Sequence, residues 1–296
     1  MSEPEVFLNG EWMPHSRARV SVDDRGFVFA DAIYDVLKAY RGFPFALERH
    51  LDRLERSAAA VRLRLPVGRA ELKRLVLELL ERNGLGRKAD RDAMIYIHIT
   101  RGVAPRNHLF PAGVEPTFYL YARELPPWPE WMFSEGVKVI TLPDRRWELC
   151  HIKTTGLLYN VLARQQAYEA GAWEAVLVRD GKVTEGSHTN LFAVVDGVLR
   201  THPTGPHILP GITRSVTLEV AAALGIPVEE RALDLDELRR AEEVFLTGTT
   251  IEVLPVREVD GRPVGQGRPG VVTRRLRQAF LESVAFRKAH PSPAGC

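Results

Sequence analysis

The sequence predicts an α+β protein of two domains. Strand patterns arrive in runs with helical patterns interspersed, as in folds that mix helix and sheet. A length of 296 residues suggests about two domains. The clearest boundary is a segment at 124–131, because three prolines in four positions exclude a regular helix or a central strand there. We predict a small domain over 1–123, a linker over 124–131, a larger domain over 132–287 and a flexible tail over 288–296.

In the first domain, apolar residues at helical spacing predict two helices, and runs of β-branched and aromatic residues predict strands. Asn9-Gly10 is a typical two-residue hairpin turn. Asn83-Gly84 is a helix stop signal. The expected elements are a hairpin over 7–12, helices over 47–65 and 71–82, and strands over 94–100 and 117–121.

The second domain follows the same rules, with turn residues between its strands. Asp180-Gly181 predicts a hairpin turn, and Pro210-Gly211 precedes a helical pattern. The expected strands cover 137–142, 175–178, 191–195, 244–246 and 253–259, and the expected helices cover 157–170, 212–224 and 268–286.

Composition excludes several classes of protein. Hydrophobic residues make up 45% and charged residues 26%, which excludes a wholly disordered chain, a collagen and a coiled-coil rod. A net charge of +2 gives no support for a nucleic-acid binder held by bulk charge. The acidic start of the chain and the lack of a long apolar run predict neither a secretory signal nor a membrane span. Cys150 and Cys296 make no disulfide framework, so we expect a cytoplasmic protein.

The motifs of several common enzyme classes are absent. There is no phosphate-binding Gly-x-x-x-x-Gly-Lys loop and no Gly-x-Gly-x-x-Gly after a strand. There is no His-Glu-x-x-His and no paired Cys-x-x-Cys, so no metal site is expected. His188 follows a serine that lies outside the Gly-x-Ser-x-Gly pattern of hydrolases.

Three reactive side chains each allow two interpretations. Lys153, just before a helix, is either a surface residue or a partly buried amine that would be nucleophilic toward carbonyls. Glu185, between a hairpin and an apolar strand, is either a loop charge or a positioned partner for a cation. Cys150 is either nucleophilic or an inert buried thiol, and its apolar surroundings favour the second.

Three loop segments could hold anions. Ile212 and Thr213 open a helix after Pro210-Gly211, which is either an anion cradle or ordinary capping. The hydroxyl cluster at 247–250 is either an anion site or a strand-end turn. Arg106 and His108 would converge if their segment is extended, as a carboxylate receptor needs, or belong to a solvated basic loop.

Two further residues have simple structural interpretations when taken alone. Tyr34 is typical of a half-buried core tyrosine. Arg53 would lie on the polar face of an amphipathic helix.

The ordered set of segments, rather than any one of them, resembles the class IV (fold type IV) pyridoxal-phosphate aminotransferases. The resemblance runs from about residue 5 to residue 286. It implies a small N-terminal α/β domain and a larger, barrel-like C-terminal cofactor-binding domain. The matching segments are Asp24–Asp31 with Tyr34, His50–Leu54, Thr100–Gly102, Lys153, Val183–Ser187 with Asn190–Phe192, Pro210–Arg214 and Thr247–Thr250.

This resemblance implies roles for the candidate residues. Lys153 would hold pyridoxal 5'-phosphate as a Schiff base and move the proton between the substrate and the cofactor. Glu185 would pair with the pyridine nitrogen and keep it protonated. The phosphate ligands would be Arg53, Ile212, Thr213, Thr249 and Thr250. A homodimer is also expected from the family.

Within the family the chain is most similar to D-amino acid aminotransferases. The segment 106–111 carries the resemblance, together with 144–147 and 199–203. It implies that Tyr34, Arg106 and His108 bind the substrate carboxylate. The expected donors are D-alanine and D-glutamate, and the expected acceptors are 2-oxoglutarate and pyruvate.

Two positions depart from the pattern, and both bear on the substrate range. Gly248 stands where some D-amino acid enzymes have a hydroxyl residue, which could remove one phosphate contact. His188 replaces a small residue, and it could either change the substrate pocket or face solvent.

Other activities share this fold. A branched-chain L-amino acid aminotransferase would use the same lysine and glutamate but not the Arg106/His108 pair in this form. Aminodeoxychorismate lyase would eliminate pyruvate, and an (R)-selective amine transaminase would have little use for an arginine at the carboxylate. A catalytically inactive scaffold would need neither Lys153 nor Glu185.

Overall fold

The computed structural model describes residues 3–289. The chain divides into two compact units. The first comprises the chain up to Pro127, the segment Ile152–Gly156 and the chain from Arg287, and the second comprises Trp128–His151 and Leu157–Phe286. The domain boundaries at 123/124 and 131/132 stay a prediction. Most of the expected tail falls on 290–296, which lies outside the described residues.

The first unit contains helices and antiparallel strands. Its elements are β1 (Glu5–Leu8), β2 (Glu11–Pro14), α1 (Arg25–Phe29), β3 (Ala32–Tyr40), β4 (Phe43–Pro44), α2 (Leu47–Ala60), α3 (Arg69–Arg82), β5 (Ala93–Thr100) and β6 (Phe118–Glu124).

These strands form one six-stranded antiparallel sheet in the order β2-β1-β6-β5-β3-β4. Apolar side chains of the sheet pack with those of α2 and α3 in a single core that includes Ile33, Leu37, Leu54 and Leu79. Successive residues of a strand point to opposite faces. Tyr34, half-buried, therefore lies on the face opposite the core and pairs with His98 of β5.

The expected hairpin and the helix over 71–82 are confirmed, with Asn9 and Gly10 both at positive φ. The helix expected over 47–65 ends at Ala60, shortly before Arg62 takes the left-handed conformation at φ 52°. Strand β3 was not expected, because Asp35 and Lys38 interrupt its apolar pattern.

The second unit carries the longer sheet. Its elements are α4 (Trp131–Ser134), β7 (Val137–Pro143), α5 (Leu158–Glu169), β8 (Glu174–Arg179), β9 (Lys182–Gly186), β10 (Asn190–Val195), β11 (Val198–Thr201), α6 (Ile212–Ala223), β12 (Val228–Glu230), α7 (Leu235–Arg239), β13 (Glu243–Gly248), β14 (Glu252–Val259), β15 (Arg262–Pro263) and α8 (Val271–Ala289).

Its nine strands form a mixed sheet in the order β12-β11-β10-β13-β14-β7-β8-β9, with β15 paired to β14. Strand β10 is buried along its whole length, which explains its continuous apolar run from Leu191 to Val195. The expected strands and helices of this part are confirmed to within a few residues, whereas the short β11, β12, β15, α4 and α7 were not expected. In the described part of the chain, no helix is both long and apolar enough to cross a membrane.

Candidate active site

Lys153 is held in the first unit by its backbone. Its N–H donates to Ser57 Oγ of α2 at 3.2 Å, and its carbonyl accepts from the N–H of Tyr34 at 3.0 Å. Its side chain is half-buried rather than fully exposed, and Nζ lies 4.3 Å from the centroid of the Tyr34 ring. These contacts hold the Lys153 amine beside the Tyr34 ring.

Arg53 is buried and does not lie on a solvated helix face, so the simple amphipathic interpretation of this residue is wrong. Its guanidinium donates to Asp35 of β3 from Nε at 2.9 Å and from Nη2 at 2.8 Å. His50, one turn earlier on α2, places Nδ1 2.7 Å from the same carboxylate. Arg53 can therefore lie on the buried face of α2, because the Asp35 carboxylate offsets the charge of its guanidinium.

The Asp35 carboxylate is ionised in this cluster. Burial raises its pKa, but the charges of Arg53 and His50 and their hydrogen bonds outweigh burial, and the pKa is lowered well below its ordinary value. Burial lowers the pKa of His50 despite the neighbouring carboxylate. Asp35 was missed by sequence reasoning; the only signal was a carboxylate at an inward position of an otherwise apolar strand.

Arg106 and His108 are exposed and lie in an irregular loop, which is the alternative of a solvated basic loop and not an extended segment. Both nevertheless lie against one ring. The Arg106 guanidinium is 5.2 Å from the centroid of Phe29, and the His108 ring centroid is 5.3 Å from it. Tyr34 contacts Lys153 and Tyr96 instead, so the three-residue carboxylate receptor stays a prediction.

Glu185 is buried near the end of β9, so the alternative of a loop charge is wrong. Its Oε1 accepts from Arg146 Nη1 at 2.5 Å, and its Oε2 accepts from Asn190 Nδ2 at 2.8 Å. The N–H of Leu209 also donates to this carboxylate, at 3.1 Å. Arg146 is held in turn by Asp144, with Nη2 to Oδ2 at 2.9 Å.

Burial raises the pKa of Glu185 to about 7, although Arg146 and the hydrogen bonds act in the opposite direction. A carboxylate with this pKa is poised to be ionised by a further positive charge. A protonated ring nitrogen would supply such a charge. Arg146 lies in the segment 144–147, which stands out in the sequence only by its resemblance to D-amino acid aminotransferases. Its contact with Glu185 spans 39 positions, which sequence spacing does not reveal.

Asn190 connects Glu185 to the start of α6. Its Nδ2 also donates to the carbonyl of Leu209 at 2.9 Å. A Cβ on Gly211 would lie 2.0 Å from Asn190 Oδ1, so only glycine fits there. Gly211 is the N-cap of α6 and provides no side-chain cap. The buried Ile212 and Thr213 therefore begin a helix whose first N–H groups need partners.

The hydroxyl cluster lies beside Asn190, because Asn190 pairs with Thr247 in the register of β10 and β13. Thr247 Oγ1 is buried and has no hydrogen-bond partner within residues 3–289. Thr249 and Thr250 form the turn before β14. A Cβ on Gly248 would lie 3.2 Å from Ile251, so a larger residue would crowd this turn.

Cys150 is buried, and burial raises the pKa of its thiol to about 11. Its Sγ donates to the carbonyl of Trp147 at 3.1 Å. The expectation of a buried thiol is confirmed, and its raised pKa favours the neutral form over the nucleophilic thiolate at neutral pH.

Comparison with known proteins identifies the family. Residues 32–259 match the family described as Amino-transferase class IV. The chain is 41% identical over 285 residues to the D-alanine aminotransferase of Bacillus licheniformis, covering 96% of this chain and 99% of that protein. It is 39% identical over 287 residues to the D-alanine aminotransferase of Staphylococcus haemolyticus, with the same shares covered.

Comparison with solved structures indicates the same family. The branched-chain amino acid aminotransferase of Escherichia coli superposes with a TM-score of 0.87 at 30% identity, over 96% of this chain and 95% of that one. A branched-chain amino acid aminotransferase from T.th., solved with pyridoxamine 5'-phosphate, gives 0.88 at 30% identity, over 99% and 97%. The resemblance drawn from the sequence is confirmed: the chain belongs to the class IV aminotransferases and has their fold type IV architecture.

Proposed function

We propose that the protein is a pyridoxal-phosphate enzyme that transfers the amino group of a D-amino acid to a 2-oxo acid. The observation that carries the proposal is the identity of 41% over nearly the whole length to an enzyme named D-alanine aminotransferase. D-Alanine and D-glutamate are the proposed donors. Pyruvate and 2-oxoglutarate are the proposed acceptors.

The residues present fit this cofactor. Thr247 supplies a buried hydroxyl that has no hydrogen-bond partner in the described part of the chain, and the adjacent turn and the start of α6 offer further donors suited to a phosphate. Glu185 is a buried carboxylate that a ring cation would ionise. A related protein was solved with the aminated form of the same cofactor. We assign the cofactor to Lys153, Arg53, Glu185, Ile212, Thr213, Thr249 and Thr250.

When bound, the cofactor supplies an electron-withdrawing ring that stabilises negative charge at the substrate α-carbon. Lys153 Nζ would accept the substrate α-proton as a general base and would then donate it as a general acid. Glu185 holds the proton at the ring nitrogen. Arg146 keeps Glu185 oriented through its hydrogen bond to Oε1.

The substrate carboxylate is assigned to Tyr34, Arg106 and His108. A guanidinium and an imidazole that share the Phe29 ring present two donors within a small region. Such donors orient the substrate and so select which face of the α-carbon loses its proton.

A branched-chain L-amino acid aminotransferase is the second candidate, because the solved neighbours at 30% identity carry that name. The two candidates differ in the hand of the substrate. The purified protein is mixed separately with D-alanine and with L-leucine, without any oxo acid, and the visible absorbance of bound pyridoxal phosphate is followed. Loss of the band with D-alanine alone supports the proposal, whereas loss with L-leucine alone overturns it.

The assignment of Lys153 has its own test. Reduction of the holoenzyme with borohydride followed by peptide mass spectrometry should find the cofactor on Lys153. The Lys153→Ala protein should lose transamination while keeping its fold. Near-normal turnover in that variant would remove Lys153 from the mechanism.

We also propose a cytoplasmic homodimer. Support for the dimer comes from the family resemblance and from the exposed apolar side chains of α5, Leu158, Val161 and Leu162. Light scattering coupled to size-exclusion chromatography should give about twice the 33.2 kDa of one chain. A monomer at micromolar concentration would contradict the dimer, and fractionation of cells tests the location.

A further inference from the structure

Glu174 is a wholly buried carboxylate at the first position of β8. A buried carboxylate needs hydrogen-bonding or charged partners. Apart from the N–H of Ala175, at 2.8 Å, its partners come from one short segment of the chain. These are Ser187 Oγ at 2.5 Å, His188 Nδ1 at 2.8 Å, Thr189 Oγ1 at 3.1 Å and the His188 N–H at 3.3 Å.

This segment is the turn 186–189, which joins β9 to β10. Glu185 and Asn190 lie on its two sides and are hydrogen-bonded at 2.8 Å. The N–H of Gly186 donates to the carbonyl of Thr189 at 2.7 Å. A Cβ on Gly186 would lie 2.1 Å from Thr189 Oγ1, so the turn has no room for a side chain at this position unless Thr189 moves.

His188 is the partner of Glu174 that reaches solvent, with 48% of its side chain exposed. Its ring also packs against Trp173 at 5.5 Å between centroids. Burial raises the pKa of Glu174, but the charge of His188 and the hydrogen bonds outweigh burial, and the pKa is lowered. His188 therefore does more than face solvent: it helps to keep a buried carboxylate ionised.

We propose that Glu174 and His188 are positioning residues that lock the turn 186–189 and so hold Glu185 and Asn190 in place for the cofactor ring. The proposal rests on the proposed function, because it needs a cofactor that Glu185 recognises. Neither residue is assigned a contact with cofactor or substrate.

The test uses two variants of His188 and one matched control. His188→Leu removes the donor and keeps an apolar body against Trp173, whereas His188→Asn keeps a donor near the position of Nδ1. The control is Thr201→Val, which removes a buried hydrogen bond of 2.7 Å to the carbonyl of Leu191 on β10 and leaves every contact of Glu174 in place. The dissociation constant of pyridoxal phosphate from each protein is measured by fluorescence, with the pH midpoint of the visible band and the thermal midpoint.

His188→Leu should weaken cofactor binding about tenfold, which is the effect of losing one charge-assisted hydrogen bond, and should shift the pH midpoint of the band. His188→Asn should stay within about twofold of the wild type. Thr201→Val should lower the thermal midpoint without changing cofactor affinity.

Equal affinity and an equal pH midpoint in His188→Leu and the wild type would overturn the positioning role. So would equal loss of affinity in His188→Leu and Thr201→Val, because that would reflect general destabilisation. A wild-type protein that fails to bind pyridoxal phosphate would instead refute the proposed function, so the two failures are distinguishable.

Discussion

Arg53 and Asp35 form a two-point ion pair in the interior of the first unit, with Arg53 donating from Nε at 2.9 Å and from Nη2 at 2.8 Å. Their side chains are 4% and 0% exposed, so water solvates neither charge to any extent. A guanidinium held at two points has a fixed plane and a fixed position. Asp35 therefore sets the orientation of the arginine that we assign to the cofactor phosphate.

Asp35→Asn should destabilise the apoprotein by about 3–5 kcal/mol, because it leaves the buried Arg53 without its counter-charge. Urea unfolding of the cofactor-free protein measures this loss. The control is Glu115→Gln, which breaks the exposed pair with Arg64, where both side chains are more than half exposed. That variant should unfold almost as the wild type does. Similar behaviour of the two variants would mean that the Asp35 pair contributes no more than a surface pair.

Glu185→Gln should make the apoprotein more stable at alkaline pH. The pKa of Glu185 rises from 4.5 to about 7 on folding, so the folded chain keeps a proton that the unfolded chain has released in this window. Stability therefore falls as the pH rises from 4.5 to about 7. At about 1.4 kcal/mol per unit, the ionised carboxylate costs up to about 3 kcal/mol.

The glutamine variant carries no such charge. Urea unfolding should show its advantage at pH about 8 and little difference from the wild type at pH about 5. The same variant should lose most of its turnover, because an amide does not hold a proton at the ring nitrogen. A glutamine variant that is less stable at alkaline pH would show that the ion pair with Arg146 outweighs the burial of Glu185.

Gly211→Ala should weaken cofactor binding, because the new Cβ would lie 2.0 Å from Asn190 Oδ1. Asn190 must then move, and its hydrogen bonds to Glu185 and to the carbonyl of Leu209 are lost. Two such bonds represent about 1–3 kcal/mol. Gly205→Ala is the matched control, since a Cβ there has open space. Cofactor titration should separate the two variants, and equal affinity would contradict the crowding argument.

Much of the fold follows from local pattern. The strand over Asn190–Val195 is apolar from Leu191 onward because it is buried throughout, and the Asn9-Gly10 turn has the positive φ angles that the hairpin needs. Strand β3 escaped this reasoning because Asp35 occupies an inward position. The burial of Asp35 is explained only by the fold, which places Arg53 and His50 of helix α2 beside its carboxylate.

The candidate residues divide in the same way. Lys153 and Glu185 are charged residues beside small or apolar ones, so the sequence alone marks them as candidates. The ordered series of segments shared with the family then implies their roles. The groups that tune them are distant in sequence: Arg146 reaches Glu185 across 39 positions, and Glu174 reaches Thr189 across 15. Contacts at such separations depend on how strands and loops come together in space, which periodicity does not determine.

Arg106→Leu should reduce kcat/KM for D-alanine at least about thirtyfold, since losing a charge-assisted contact with a carboxylate corresponds to about 2–5 kcal/mol. Steady-state kinetics at saturating oxo acid measures it. Arg62→Leu is the matched control, because Arg62 is also an exposed arginine over an aromatic ring, 4.7 Å from the centroid of Phe110. Its kcat/KM should change less than about threefold, as expected of a surface substitution. An unchanged kcat/KM in Arg106→Leu would remove Arg106 from the carboxylate receptor and leave the choice of hand to other residues.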